Sequence, residues 1–356
     1  MRGDEKRQEE LFACGSLGER VPAEHPLRRI RVMTDAALEE LKPELEAMYA
    51  GTGRPSIPPE QMLRALLLQL LYSVRSERML VEQMEYDLLF RWFVGLGWNG
   101  GVWDASSFSK NRERLLAGEM AAKFFRAVVE QARAARLLSD ERFTVDGTLI
   151  EAWASEKSYV PRIGPRGPRG SGEDGKFLLR DTYVSKTDAE AGMYRKSLKT
   201  GWRLQHMAHA VSENQHGLVV ATAVSGPSPR AERELALAMI RRLGQRTQVR
   251  SVGADKGYHE RDFVEGLRSM GASAHVPPYA GRRKRRCWID PHLPDTAEFR
   301  NSQKRRKWIE RFFSWLKNTA GLRKTRHRGY RKLDWNFTFA AAAYNLVRIS
   351  KLLPAA

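Results

Sequence analysis

The spacing of apolar residues changes period near residue 140, and this change divides the chain. Upstream the pattern is helical. Leu38, Leu41, Leu45 and Met48 recur at helical spacing after Asp35, which reads as an N-cap. Pro58-Pro59 opens a second helix from about Glu60 to Val74, and Ser76-Glu77 a third. After a Gly/Trp/Asn-rich turn, Ser106 opens a helix expected to run to about Ala135. Downstream the apolar runs shorten. Phe143 to Trp153 reads as a strand, and Trp202–Val211 with Leu218–Val224 as a hairpin turning at Asn214-Gln215-His216-Gly217. Val249–Ala254 and Ala272–Val276 are short strands that alternate with helices at Ala231–Leu243 and Asp262–Met270. Gln303–Asn318 and Trp335–Leu352 close the chain as helices, and Gly164–Gly175 is a Pro/Gly/Arg-rich loop. The expectation is an all-helical domain over 1–138 and an α/β domain with a mixed sheet over 139–356.

The 356 residues carry a net charge of +19, which favours a polyanionic partner. The excess is local: Arg282 to Lys332 holds 18 Lys/Arg against 4 Asp/Glu, as a nucleic-acid footprint would. Cys14 and Cys287 are too few for a disulfide framework or a cysteine zinc motif, which suits a reducing cytoplasm. The charged N-terminus lacks the apolar core of a signal peptide. The longest apolar run, Leu63–Val74, is broken by Arg64 and Gln69 and is too short to span a bilayer, so no membrane partner is expected.

Three carboxylates stand in distinctive settings. Asp146 lies in Thr144-Val145-Asp146-Gly147-Thr148, within or at the end of a strand. Asp255 lies in Ala254-Asp255-Lys256-Gly257-Tyr258 and directly ends another strand. Open α/β sheets gather functional groups at strand carboxyl ends, so adjacent strands would bring the two together. Glu310 lies in Trp308-Ile309-Glu310-Arg311-Phe312-Phe313. On a continuous helix Arg306, Glu310 and Lys317 share a wedge of about 40°, while the aromatic residues cover the other side. Each acid also has an ordinary reading: Asp-Gly is a common turn dipeptide, and Arg306 with Glu310 could form a plain i, i+4 ion pair.

Phosphodiester transfer accounts for this set of residue types. Two divalent ions about 3.5–4 Å apart activate the attacking oxygen and stabilise the leaving one. Mg²⁺ prefers carboxylate and water oxygens, which Asp146, Asp255 and Glu310 would supply, with Mn²⁺ a possible substitute. Arg306 and Lys317 would hold the phosphate backbone beside them. His206 and His209 fall on opposite faces of a predicted strand and make a poor zinc site. No Walker-type glycine loop is present, so ATP is not implied.

These segments resemble the DDE transposases of bacterial insertion sequences, within the insertion-sequence-four/five superfamily and nearest its insertion-sequence-five group. Gly53-Arg54-Pro55 through Arg112 resembles the helical N-terminal domain, and the three acidic segments resemble the catalytic ones. Gly321–Gly329 and Ala342-Ala343-Tyr344-Asn345 resemble the C-terminal end. The resemblance implies a ribonuclease H-like core using two Mg²⁺ ions. It also implies binding of terminal inverted repeats, strand cleavage and strand transfer, by a homodimer or higher assembly on double-stranded DNA. The family's third segment reads tyrosine, two residues, arginine, three residues, glutamate, six residues, lysine. Arg306, Glu310 and Lys317 match, but Gln303 stands at the tyrosine position. The short interval from Asp255 to Glu310 leaves room for a basic loop, Tyr279–Phe299, and not for a large all-β insertion. Lys110 and Arg112, on the helix opened by Ser106, are expected to contact element-end DNA. Arg282, Arg283, Lys284, Arg285 and Arg286 are expected to add sequence-independent backbone affinity. A silent DNA-binding derivative and a nuclease that does not join ends are the competing readings.

Overall fold

The structure, a computed structural model, describes residues 15–50, 52–53, 55–161, 183–195, 201–278 and 287–354. Two compact units emerge: Met1–Leu137 with Asn318–Gly321 and Thr338–Ala356, and Leu138–Lys317 with Leu322–Phe337. The reading of 139–356 as one domain therefore needs adjustment, because the final helix, Tyr330–Leu352, starts in the second unit and ends in the first. Its later part is rich in buried Ala and Phe, and Phe339 meets Phe124 with ring centroids 5.4 Å apart. Among the described residues no helix is long and apolar enough to cross a membrane.

The first unit is helical, as its periodicity predicts, but its boundaries are set by caps. Ser76 accepts from the Met79 amide and starts the Glu77–Tyr86 helix, and Asp87 caps Leu88–Val94 in the same way. Asp104 caps Ala105–Ala117. The predicted single helix to Ala135 is broken at Gly118-Glu119, and a second helix runs from Met120 to Ala134. Asp35 is not a cap. It sits inside the Pro26–Glu40 helix and pairs at 2.8 Å with Arg64, which is buried to 1% exposure.

The second unit is built on a mixed sheet. Its strands are β1 (Arg142–Glu151), β4 (Gly192–Tyr194), β5 (Arg203–Glu213), β6 (Val219–Ser225), β7 (Ser251–Gly253) and β8 (Ser273–His275). A separate pair joins β2 (Tyr159–Pro161) to β3 (Tyr183–Ser185). β1 is central: it pairs antiparallel with β5 on one side and parallel with β7 on the other, and β7 pairs parallel with β8. β4 and β6 both pair with β5. A long hairpin followed by parallel strands reached through helices is the ribonuclease H-like arrangement expected from the sequence.

Alternation along β1 explains its packing. Phe143 and Val145 enter a core with Ala236, Met239 and Ile240 of the Pro229–Gly244 helix and Phe263, Val264 and Leu267 of the Arg261–Ser269 helix. Thr144 points the other way, toward Gly253, and a Cβ at Gly253 would stand 2.6 Å from the Ser302 hydroxyl. The Ala297–Arg305 helix therefore packs closely on that strand because residue 253 has no side chain. The predicted single helix Gln303–Asn318 is in fact two, Ala297–Arg305 and Lys307–Asn318, meeting at Arg306.

Candidate active site

The parallel register of β1 and β7 aligns Thr144 with Gly253. Asp146 and Asp255 each lie two residues further on, so neighbouring strands carry them to the same end of the sheet. Asp146 is inside β1, whereas Asp255 follows β7 and caps the short turn Lys256–Tyr258. The Asp255 carboxylate accepts from the Gly257 amide at 2.7 Å, and a Cβ at Gly257 would crowd the same oxygen at 2.9 Å. Thus the Asp-Lys-Gly-Tyr segment folds its glycine under the aspartate.

Asp146 holds its proton unusually tightly. Burial, then the Asp255 charge, and more weakly the Glu232 charge push its pKa up to about 7, against the pull of the Gly147 amide and Arg306. The Asp255 charge at the end of the neighbouring strand disfavours ionisation of Asp146. A divalent cation between them would remove that conflict, and an all-oxygen donor set suits a hard cation.

Glu310 is placed differently. It lies in the first turn of the Lys307–Asn318 helix, half exposed, and pairs with Arg306 at 2.7 Å. The ordinary i, i+4 ion pair is thus formed. The Arg306 charge also reaches Asp146, so the arginine acts on both Glu310 and Asp146. Among the described residues no group of three or more His, Cys, Asp or Glu side chains is placed to hold a metal ion. The structure brings Asp146 and Asp255 together and leaves Glu310 on its own ion pair. Lys317 follows on the same helix, partly buried.

Gln303 has a definite place. Its side-chain amide donates to the carbonyls of His275 at 2.6 Å and Ala254 at 3.4 Å. It therefore ties the helix before Arg306 to the ends of β7 and β8, next to Asp255. The following helix is seated by the hairpin turn. Gly217 has a φ of +73°, and a Cβ there would lie 2.6 Å from the Trp308 Cβ.

Glu232, in the first turn of the Pro229–Gly244 helix, was not singled out from sequence. Its carboxyl carbon stands 3.0 Å from where a Cβ at Gly147 would be, and after burial its charge is the next cause that pushes the Tyr258 hydroxyl pKa up. The available signal was Gly147 itself, since glycine inside a strand marks a close approach by another group.

The other expected binding residues divide. Lys110 is exposed. Arg112 is partly buried and paired with Glu77, which also accepts from Ser109, so this arginine serves the helix packing. Arg282, Arg283, Lys284, Arg285 and Arg286 lie outside the described residues. His206 and His209 each have a side-chain partner. The first is buried against Asp188 at 3.0 Å, and the second meets Ser225 at 2.8 Å. Burial lowers the His209 pKa to about 4 and keeps it neutral.

Two family models match the chain. A transposase domain (DUF772) matches residues 15–114, and the transposase DDE domain matches residues 141–346. The chain belongs to the DDE transposases. Asp146, Asp255 and Glu310 all fall within the second match. No curated protein matches this transposase. Among solved structures, it is similar to the piggyBac transposase synaptic complex with hairpin DNA, at 9% identity over 91% of this chain and 75% of that one, with a TM-score of 0.44. It is also similar to the Mos1 strand transfer complex, at 10% identity over 84% of this chain and 79% of that one, TM-score 0.21. The Mos1 mariner paired-end complex with Mn gives 13% identity over 93% and 97%, TM-score 0.21. The family assignment rests on the sequence models.

Proposed function

We propose that this DDE transposase binds the terminal inverted repeats of an insertion sequence and catalyses divalent-metal-dependent strand cleavage and strand transfer. The observation that carries the reading is the register that brings Asp146, inside β1, and Asp255, just after β7, to the same end of neighbouring parallel strands, with the Asp146 pKa pushed up to about 7 by burial and then by the Asp255 charge. Those two carboxylates fit a divalent cation, Mg²⁺ by preference, with Mn²⁺ as a substitute. When bound, two such ions would activate an attacking hydroxyl and stabilise the departing oxygen.

Glu310 completes the acidic set in this reading once Arg306 lets it go. An exposed ion pair is worth roughly 0–1 kcal/mol, so a DNA phosphate competes readily for the guanidinium. Arg306 then holds the phosphate while Glu310 turns to the aspartates. Lys317, further along the same helix, adds a second contact to the DNA backbone. The helical unit contributes recognition of the ends, with the exposed Lys110 as a contact to the phosphate backbone. Function on DNA ends also implies a dimer or higher assembly that holds two ends at once.

A strand-transfer assay tests the reading. Duplexes carrying the DNA that flanks the gene, with a free 3′-hydroxyl, are incubated with target DNA and Mg²⁺. Joined products are expected from the wild type, and none from Asp146→Asn, Asp255→Asn or Glu310→Gln at similar end binding. Cleavage without any joining would favour a nuclease instead.

A further inference from the structure

Glu213 is the last residue of β5 and is fully buried, which for a carboxylate demands hydrogen-bond donors. It finds them chiefly in the turn that follows. One oxygen accepts from the His216 amide at 2.8 Å and the Leu218 amide at 2.9 Å. The other accepts from the Gln215 amide at 2.6 Å and the Ser139 amide at 3.3 Å. The turn gathered in this way reaches in two directions. Toward β1, the Asn214 side chain accepts from the Thr144 hydroxyl at 2.6 Å and donates to the Phe143 carbonyl at 3.3 Å, on the strand that carries Asp146. Toward the helices, the Gln215 carbonyl accepts from Arg305 at 3.4 Å, and a Cβ at Gly217 would stand 2.6 Å from the Trp308 Cβ. Arg305 and Trp308 flank the Arg306 junction, and Trp308 comes just before Glu310 on its helix.

We propose that Glu213 is a positioning residue for Glu310: it holds the turn after β5 in one shape, and that turn fixes the helix of Glu310 against the strand of Asp146. The proposal rests on the acidic-set reading above. Without the carboxylate, the amides of Gln215, His216 and Leu218 would need other acceptors, and the turn would move to find them. The residue types follow from this role. A carboxylate has acceptor capacity on both oxygens, whereas the amide of a glutamine has one acceptor oxygen and cannot serve the same set of donors. Residue 217 is glycine because the turn takes a φ of +73° there and Trp308 occupies the space of a side chain. A shift at Trp308 passes directly to Glu310, and misplacement of a catalytic group by about 1 Å costs on the order of 100-fold in rate.

Two measurements on the full chain test it, each with folding checked by thermal melting. The first is single-turnover cleavage of element-end DNA over a range of Mn²⁺ concentrations. Glu213→Gln should slow cleavage roughly 10–100-fold with end binding retained. It should also raise the Mn²⁺ concentration for half-maximal cleavage severalfold. A residue that only stabilised the fold would lower the melting temperature and leave that metal dependence alone, so wild-type metal dependence would overturn the proposal. The second is amide hydrogen exchange, which needs neither metal nor DNA. Glu213→Gln should speed exchange in 214–218 and in 305–311 together. Faster exchange in 214–218 with 305–311 unchanged would overturn the proposal. Trp308→Ala takes the ring out of the contact and decides the matter if Glu213→Gln does not fold. It should raise the Mn²⁺ requirement and speed exchange in 305–311 while 214–218 stays protected, and wild-type metal dependence here would again overturn the proposal. Wild-type cleavage by Glu310→Gln would instead count against the acidic-set reading, leaving the exchange result to decide whether Glu213 seats the helix.

Discussion

Asp146 is the residue on which the electrostatics turn. Its folded pKa of about 7 is above the ordinary carboxylate value, so the folded chain binds a proton that the unfolded chain releases. Its ionisation costs nothing extra below pH 4. As the pH rises from 4 to 7 the folded form is progressively destabilised, because it keeps a proton that the unfolded chain has lost, and the full penalty stands above 7. Asp146→Asn mimics the protonated acid. Without metal, its melting temperature should exceed the wild type's at pH 8 by a few degrees and match it near pH 4. Equal melting at both pH values would contradict the raised pKa. Gly147 supplies a second residue-scale prediction. Gly147→Ala puts a methyl against the Glu232 side chain, and Mn²⁺ affinity should fall at least severalfold while the melting temperature changes little.

At the scale of elements, the strands and most helices were legible because their cause is local. Phe143 and Val145 alternate with Thr144 and Asp146, and Ser76, Asp87 and Asp104 accept from the amides of the helices they start. The break at Arg306 was not legible. Arg306 keeps helical angles, φ −53° and ψ −27°, so the apolar period runs through it. The aspartate pair was readable because strand ends in such sheets converge. Glu232 was not, because its partners are distant in sequence and its own helix turn looks like any solvated one. Gln303 likewise departs from the family's tyrosine, and its meaning lies in the carbonyls of Ala254 and His275. Gln303→Ala should destabilise by about 1 kcal/mol, read as a lower denaturant midpoint, because it removes the side-chain donor to those two carbonyls. An unchanged midpoint would mean that the two bonds hold nothing.

For the molecule as a whole, the proposed function assigns binding to positive charge and chemistry to the acidic site. The run Arg282 to Arg286 should act on any DNA. Its replacement by alanine should weaken binding to all sequences alike and flatten the dependence on salt, a result checked by titrating end and random duplexes at several ionic strengths. Loss confined to one sequence would assign it a reading role. The central claim is that Asp146 and Asp255 carry the chemistry and not the binding. Its most direct measurement is Mg²⁺-dependent cleavage of element-end DNA by Asp255→Asn beside the wild type, with end binding measured on the same preparations. The account predicts retained binding and cleavage reduced below detection in the variant. Wild-type cleavage by Asp255→Asn would contradict it.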